Sequence, residues 1–100
     1  MTPEALRDCV VGALEDRKGI DILPLDVRRM TSIADHMVIV SGTSSRHVKA
    51  LVDAVVEAAV AATGRKPIGI EGQQSAEWVL VDLGDVIVHV MQPETRLFYQ

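Results

Sequence analysis

The feature that most constrains this chain is the run Trp78-Val79-Leu80-Val81-Asp82-Leu83-Gly84-Asp85-Val86-Ile87-Val88-His89-Val90-Met91. Its halves are apolar and rich in β-branched residues, and they flank a glycine able to take positive φ, so the run predicts two strands joined by a tight hairpin. A Leu83-Gly84 loop would set Asp82 opposite Asp85, Leu80 opposite Ile87 and Trp78 opposite His89, with Val81 facing Val86 and Val79 facing Val88. Because strand side chains alternate, one face is then all valine, while the other carries Trp78, Leu80, Ile87, His89 and Met91. A valine face of this kind has to be covered, and the rest of the chain must supply the cover.

Two segments can do so. Thr2 before Pro3 reads as an N-cap followed by a first-turn proline, and Leu6, Val10, Ala13 and Leu14, with Cys9 alongside, form an apolar stripe that Arg17-Lys18-Gly19 closes. This predicts a first helix running to about Lys18. Val48, Leu51, Val52, Val55, Val56, Ala59 and Val60 recur at helical spacing up to Thr63-Gly64 and predict a second helix, slim enough to lie close on a sheet. Between them, Ile20 to Val27 reads as a strand that Pro24 confines to an edge or a bulge. Met37-Val38-Ile39-Val40 is continuously apolar, as for a central strand covered on both faces. A short strand over Pro67 to Glu71 and a last helix over Glu94 to Tyr99 complete the order α-β-β-α-β-β-β-α. The expected fold is mixed α/β, a five-stranded sheet with helices mainly on one face.

One hundred residues, 48% of them apolar, fit one domain that needs no metal or disulfide to hold its core. Ten Lys and Arg against fourteen Asp and Glu give a net charge of −4, a field that repels phosphate backbones and anionic membranes. The basic pairs Arg28-Arg29 and Arg65-Lys66 have no aromatic residues interleaved with them, so little or no direct nucleic-acid binding is expected. No stretch approaches the ~18 apolar residues of a membrane span, the N-terminus has no signal-peptide order, and Cys9 is alone, so a cytoplasmic location is expected.

Several groupings could carry chemistry. Gly42-Thr43-Ser44-Ser45 lies between a strand and a helix, where free N–H groups can hold an anion, although the same residues serve an ordinary helix cap. A full phosphate loop would need Lys and Ser/Thr after a second glycine, and Arg46-His47 stand there. Asp82 and Asp85 bracket the hairpin turn without a third carboxylate to complete a metal site, and His36, His47 and His89 lie on separate elements. Neither cofactor, metal nor catalytic residue is expected. Trp78 is more informative: with Leu80, Ile87, His89 and Met91 it either forms an apolar patch, rimmed by Glu77, Asp82 and Asp85, for a protein partner, or is core beneath the last helix.

Ser32-Ile33-Ala34-Asp35, Val40-Ser41-Gly42-Thr43-Ser44-Ser45-Arg46-His47-Val48, Glu71-Gly72 and the stretch from Glu77 to Met91, in this order, resemble the ribosomal silencing factor family, also called iojap-like. The resemblance implies a nucleotidyltransferase-like topology without enzymatic activity. It implies binding to large-subunit ribosomal protein fourteen on the intersubunit face, which blocks joining of the small subunit and represses translation under nutrient limitation. On that reading Trp78, Leu80, Ile87, His89 and Met91 dock on the ribosomal protein while Glu77, Asp82 and Asp85 meet its basic groups. Two alternatives stand beside it: a nucleotide-binding or nucleotidyl-transferring enzyme using Gly42-Thr43-Ser44, and a module that pairs with its own copy as a homodimer.

Overall fold

A computed structural model describes residues 1–98. The elements follow in the order α1 (Pro3–Asp16), β1 (Ile20–Asp26), β2 (His36–Ser41), α2 (Ser45–Thr63), β3 (Gly69–Glu71), β4 (Trp78–Asp82), β5 (Val86–Met91) and α3 (Pro93–Phe98). The strands form one mixed sheet in the order β1-β2-β5-β4-β3, with β2 parallel to β5 and the other neighbours antiparallel. The middle strand is therefore β5 rather than β2, which lies one place nearer the β1 edge. Tyr99, expected in the last helix, lies outside the described residues.

The helix starts follow their caps. The Thr2 side chain accepts from the Ala5 N–H at 3.1 Å, and the Ser44 side chain accepts from the His47 N–H at 3.1 Å. α1 ends at Asp16, two residues before the expected Lys18, and Lys18 itself takes the left-handed conformation, at φ 61°. Gly19 is needed for space, since a Cβ there would come within 2.8 Å of Val40 and 3.0 Å of the Leu14 carbonyl oxygen. Pro24 is on the β1 edge, and the pairing of β1 with β2 slips between Ile20 and Leu23, so both of the expected accommodations occur together.

Leu6, Val10 and Leu14 of α1, with Val48, Leu51, Val52, Val55 and Ala59 of α2, pack on Val38, Val40, Val79, Val81, Val86, Val88 and Val90 of the sheet. Both long helices lie on this one face. At roughly 1.5–3 kcal/mol for each buried aliphatic side chain, it holds most of the hydrophobic stabilisation. Across the helix pair the small residues Cys9 and Ala58 allow close approach, and the Cys9 thiol reaches the Ala58 carbonyl at 3.6 Å.

His36 shares the helix-side face at 1% exposure, and its Nε2 lies 3.0 Å from a carboxylate oxygen of Glu4. Arg28 extends this group outward, 3.5 Å from Glu4 and in a two-pronged pair with Asp26 whose shortest contact is 2.6 Å. The Arg28 hydrogen bonds pull the Asp26 pKa down to about 2, and the His36 hydrogen bond lowers that of Glu4. These residues clamp the start of α1 to the ends of β1 and β2.

Candidate docking face on the sheet

The hairpin closes one residue later than its sequence suggests. Leu83 donates its N–H to the Val86 carbonyl at 2.9 Å, making Gly84-Asp85 the two-residue loop, with Gly84 at φ 90°. The first central position is the one that type II′ hairpin turns reserve for glycine. Asp82 shapes the same turn, its carboxylate accepting from the Gly84 N–H at 2.9 Å. The pairing is accordingly Trp78 with Met91, Val79 with Val90, Leu80 with His89, Val81 with Val88 and Asp82 with Ile87. This replaces the expected pairs, but a slip of two residues leaves every side chain on its expected face.

The register defines the face that α1 and α2 leave uncovered. One cross-sheet row contains Leu25, Met37, Ile87, Asp82 and Gly69; the next contains Leu23, Ile39, His89, Leu80 and Glu71; the last contains Ser41, Met91 and Trp78. Trp78 is 38% exposed and Leu23 43%, while Met37, Ile39, Leu80 and His89 are half-buried. Ile87 and Met91, at 8% and 6%, underlie this surface rather than present side chains to it. The face thus continues beyond the hairpin onto β2 and β1. Leu23, Leu25, Met37, Ile39 and Glu71 join it only through the strand pairing, which no local pattern in the chain discloses.

His89 and Gly72 help to seat Trp78. Its indole Nε1–H donates to His89 Nδ1 at 2.9 Å, with the ring centroids 5.8 Å apart and the planes tilted by 50°. Burial lowers the His89 pKa, favouring the neutral ring that can accept this bond. Behind it, Gly72 sits at φ 87°, and a Cβ there would run into the Trp78 carbonyl oxygen. The turn from Gly72 to a fully buried Ala76, closed by the Ala76 N–H on the Gly72 carbonyl at 3.0 Å, delivers the chain into β4.

The acidic residues are spread out. Glu77 is exposed beside Trp78, and Asp82 is four residues further along β4, roughly 13 Å at ~3.3 Å per residue. Asp85 is in the turn: its carbonyl accepts from the N–H groups of Asp35 and His36, and it lines an open hollow on the helix side with Arg65 and Lys66. It does not share the Trp78 surface, whereas Glu71 does.

The Gly42 loop is tied to its neighbours through His47. The Thr43 N–H donates to His47 Nδ1 at 2.9 Å, and His47 Nε2 reaches the Arg17 carbonyl at 2.9 Å. The imidazole thereby joins the loop to the end of α1 and occupies a donor that an anion would need. Gly42 leaves room for α2, since a Cβ would lie 3.0 Å from Val48 and 3.2 Å from Leu51. Among the described residues no group of three His, Cys, Asp or Glu could hold a metal ion, and no helix is long and apolar enough to cross a membrane.

Comparison with known proteins agrees across the whole length. The family described as "Ribosomal silencing factor during starvation" matches residues 1–100. The chain is 43% identical over 99 residues to Ribosomal silencing factor RsfS of Chromobacterium violaceum, covering 99% of this chain and 80% of that one. It is 34% identical over 99 residues to the Bacillus subtilis protein of the same name, covering 99% and 83%. Mouse "Mitochondrial assembly of ribosomal large subunit protein 1" is 35% identical over 95 residues, or 93% of this chain and 42% of the mouse protein. A crystal structure of a Chromobacterium violaceum protein superposes with a TM-score of 0.94 at 43% identity, covering 99% of this chain and 82% of that one. One from Bacillus halodurans gives 0.86 at 30% identity, covering 96% and 89%. Sequence, topology and these relatives agree that the chain belongs to the ribosomal silencing factor family.

Proposed function

We propose that the protein regulates translation by binding the large ribosomal subunit in the cytoplasm, with the uncovered sheet face docked on ribosomal protein fourteen so that the small subunit is sterically kept from joining. The observation that carries this reading is the placement of a partly exposed, hydrogen-bonded tryptophan on an apolar sheet face that the two long helices leave open. Tryptophan anchors recur at the centres of protein interfaces, where a large rigid side chain gives much contact area for little ordering entropy. Leu80, Leu23 and Ile39 continue the apolar contact, Ile87 and Met91 support it from below, and Glu71, Glu77 and Asp82 provide an acidic margin for basic groups of the partner. Asp85 contributes through its backbone to the end of the sheet.

Steric inhibition requires no chemistry. Removing the indole should cost at least ~2 kcal/mol of binding, roughly a thirtyfold loss of affinity. The test is co-sedimentation of Trp78→Ala with purified large subunits, with circular dichroism showing that the variant remains folded. Wild-type affinity in a folded Trp78→Ala protein would place the docking surface elsewhere.

A further inference from the structure

We propose that His89 is a positioning residue for Trp78: its unprotonated Nδ1 helps to hold the indole in the orientation used for docking, so protonation of His89 disturbs that orientation and weakens partner binding. The inference rests on the docking role of the Trp78 face. An indole nitrogen can only donate, so the 2.9 Å contact requires a lone pair on Nδ1 and hence an imidazole without a proton there. A protonated ring would set two N–H groups against each other. The indole would then have to turn away, and the interface would have to restore its orientation at the expense of affinity.

His89 is well placed for this duty. It lies on the middle strand, between Ile39 of β2 and Leu80 of β4, with its ring tilted against the indole. Among the described residues, the ionisable groups around this face are Glu77 and Asp82 beside or on β4, Glu71 on β3, Asp21 on β1 and Arg96 on α3. Met37 and Ile39 of β2 add no charge. Arg96 is engaged with the Ser41 hydroxyl at 3.0 Å and the Ile20 carbonyl at 3.3 Å, and the Asp82 carboxylate with the Gly84 N–H. The lowering of the His89 pKa arises from burial, so the switch operates below the ordinary histidine value of 6.5.

Trp78 is the only tryptophan, so its fluorescence reports the contact in the isolated protein without any partner. Wild type should show one fluorescence transition with a midpoint below 6.5, and His89→Asn, which retains an acceptor near the Nδ1 position but does not titrate, should abolish that transition. Large-subunit affinity should fall across the same pH range for wild type and be flat for His89→Asn. At neutral pH His89→Leu should bind about tenfold more weakly, with His89→Asn restoring part of the loss. A wild-type fluorescence trace without the transition overturns the proposal. So does a His89→Leu protein that binds like wild type while Trp78→Ala does not, an outcome that leaves the docking reading intact. If Trp78→Ala binds like wild type, the docking reading fails and takes the positioning role with it.

Discussion

Replacing Gly72 by alanine should damage the protein more than any other single methyl addition at a glycine with positive φ. The residue sits at φ 87°, where an L side chain costs ~1–2 kcal/mol. The new Cβ also meets the carbonyl oxygen of Trp78, a backbone atom that can move only if the start of β4 moves with it. Overpacking of this kind costs ~1–3 kcal/mol, which brings the expected loss to about 2–5 kcal/mol. Gly64→Ala is the control for conformation alone: its φ is 71°, but a Cβ there meets nothing within 4 Å, so only ~1–2 kcal/mol is expected. Gly69→Ala has neither strain nor contact and should be neutral or slightly stabilising. Urea unfolding followed by Trp78 fluorescence ranks the three variants. A central loss of ~3 kcal/mol corresponds to a fall in Tm of roughly 12–24 °C for a domain of this size. A Gly72→Ala protein no less stable than Gly64→Ala would refute the claim that this glycine exists to seat Trp78.

Three further outcomes follow from the same geometry. Leu51, fully buried between α2 and the valine face, should lose about 2–5 kcal/mol of stability as Leu51→Ala in urea unfolding. The Asp26 and Glu4 pKa values lie below their ordinary 3.8 and 4.5 in the folded chain, so their stabilising contributions are complete above those values and are lost as pH falls below them, that of Asp26 as pH falls through about 2; unfolding midpoints measured from pH 5 to pH 2 should decline less steeply in Asp26→Asn than in wild type. Calorimetry with nucleoside triphosphates and Mg²⁺ at micromolar concentration should register no heat, because the Thr43 N–H is already bonded to His47; saturable binding would revive the nucleotide reading.

The division of the hairpin into a valine face and a tryptophan face was legible because alternation is local and survives a slip of two residues. The exact partners were not legible, because Leu83-Gly84 and Gly84-Asp85 both offer a two-residue loop, and the choice falls to the Leu83–Val86 bond and the Asp82 side chain. Helix α2 was readable from Val48 to Thr63 because its cap, apolar stripe and terminal glycine agree. The breadth of the docking face was hidden for a different reason. Met37 and Ile39 join Ile87 and His89 through a parallel pairing between strands separated by α2, β3 and β4, a contact no local signal encodes. The role of His47 was likewise hidden, since it depends on the Arg17 carbonyl thirty positions away.

The most direct measurement is a subunit-joining assay with purified small and large subunits, comparing no addition, wild-type protein and folded Trp78→Ala. The account predicts that wild type suppresses joining in proportion to its occupancy of the large subunit, and that Trp78→Ala restores joining at the same concentration. Equal suppression by the two proteins, or undiminished joining with large subunits saturated by wild type, would contradict it.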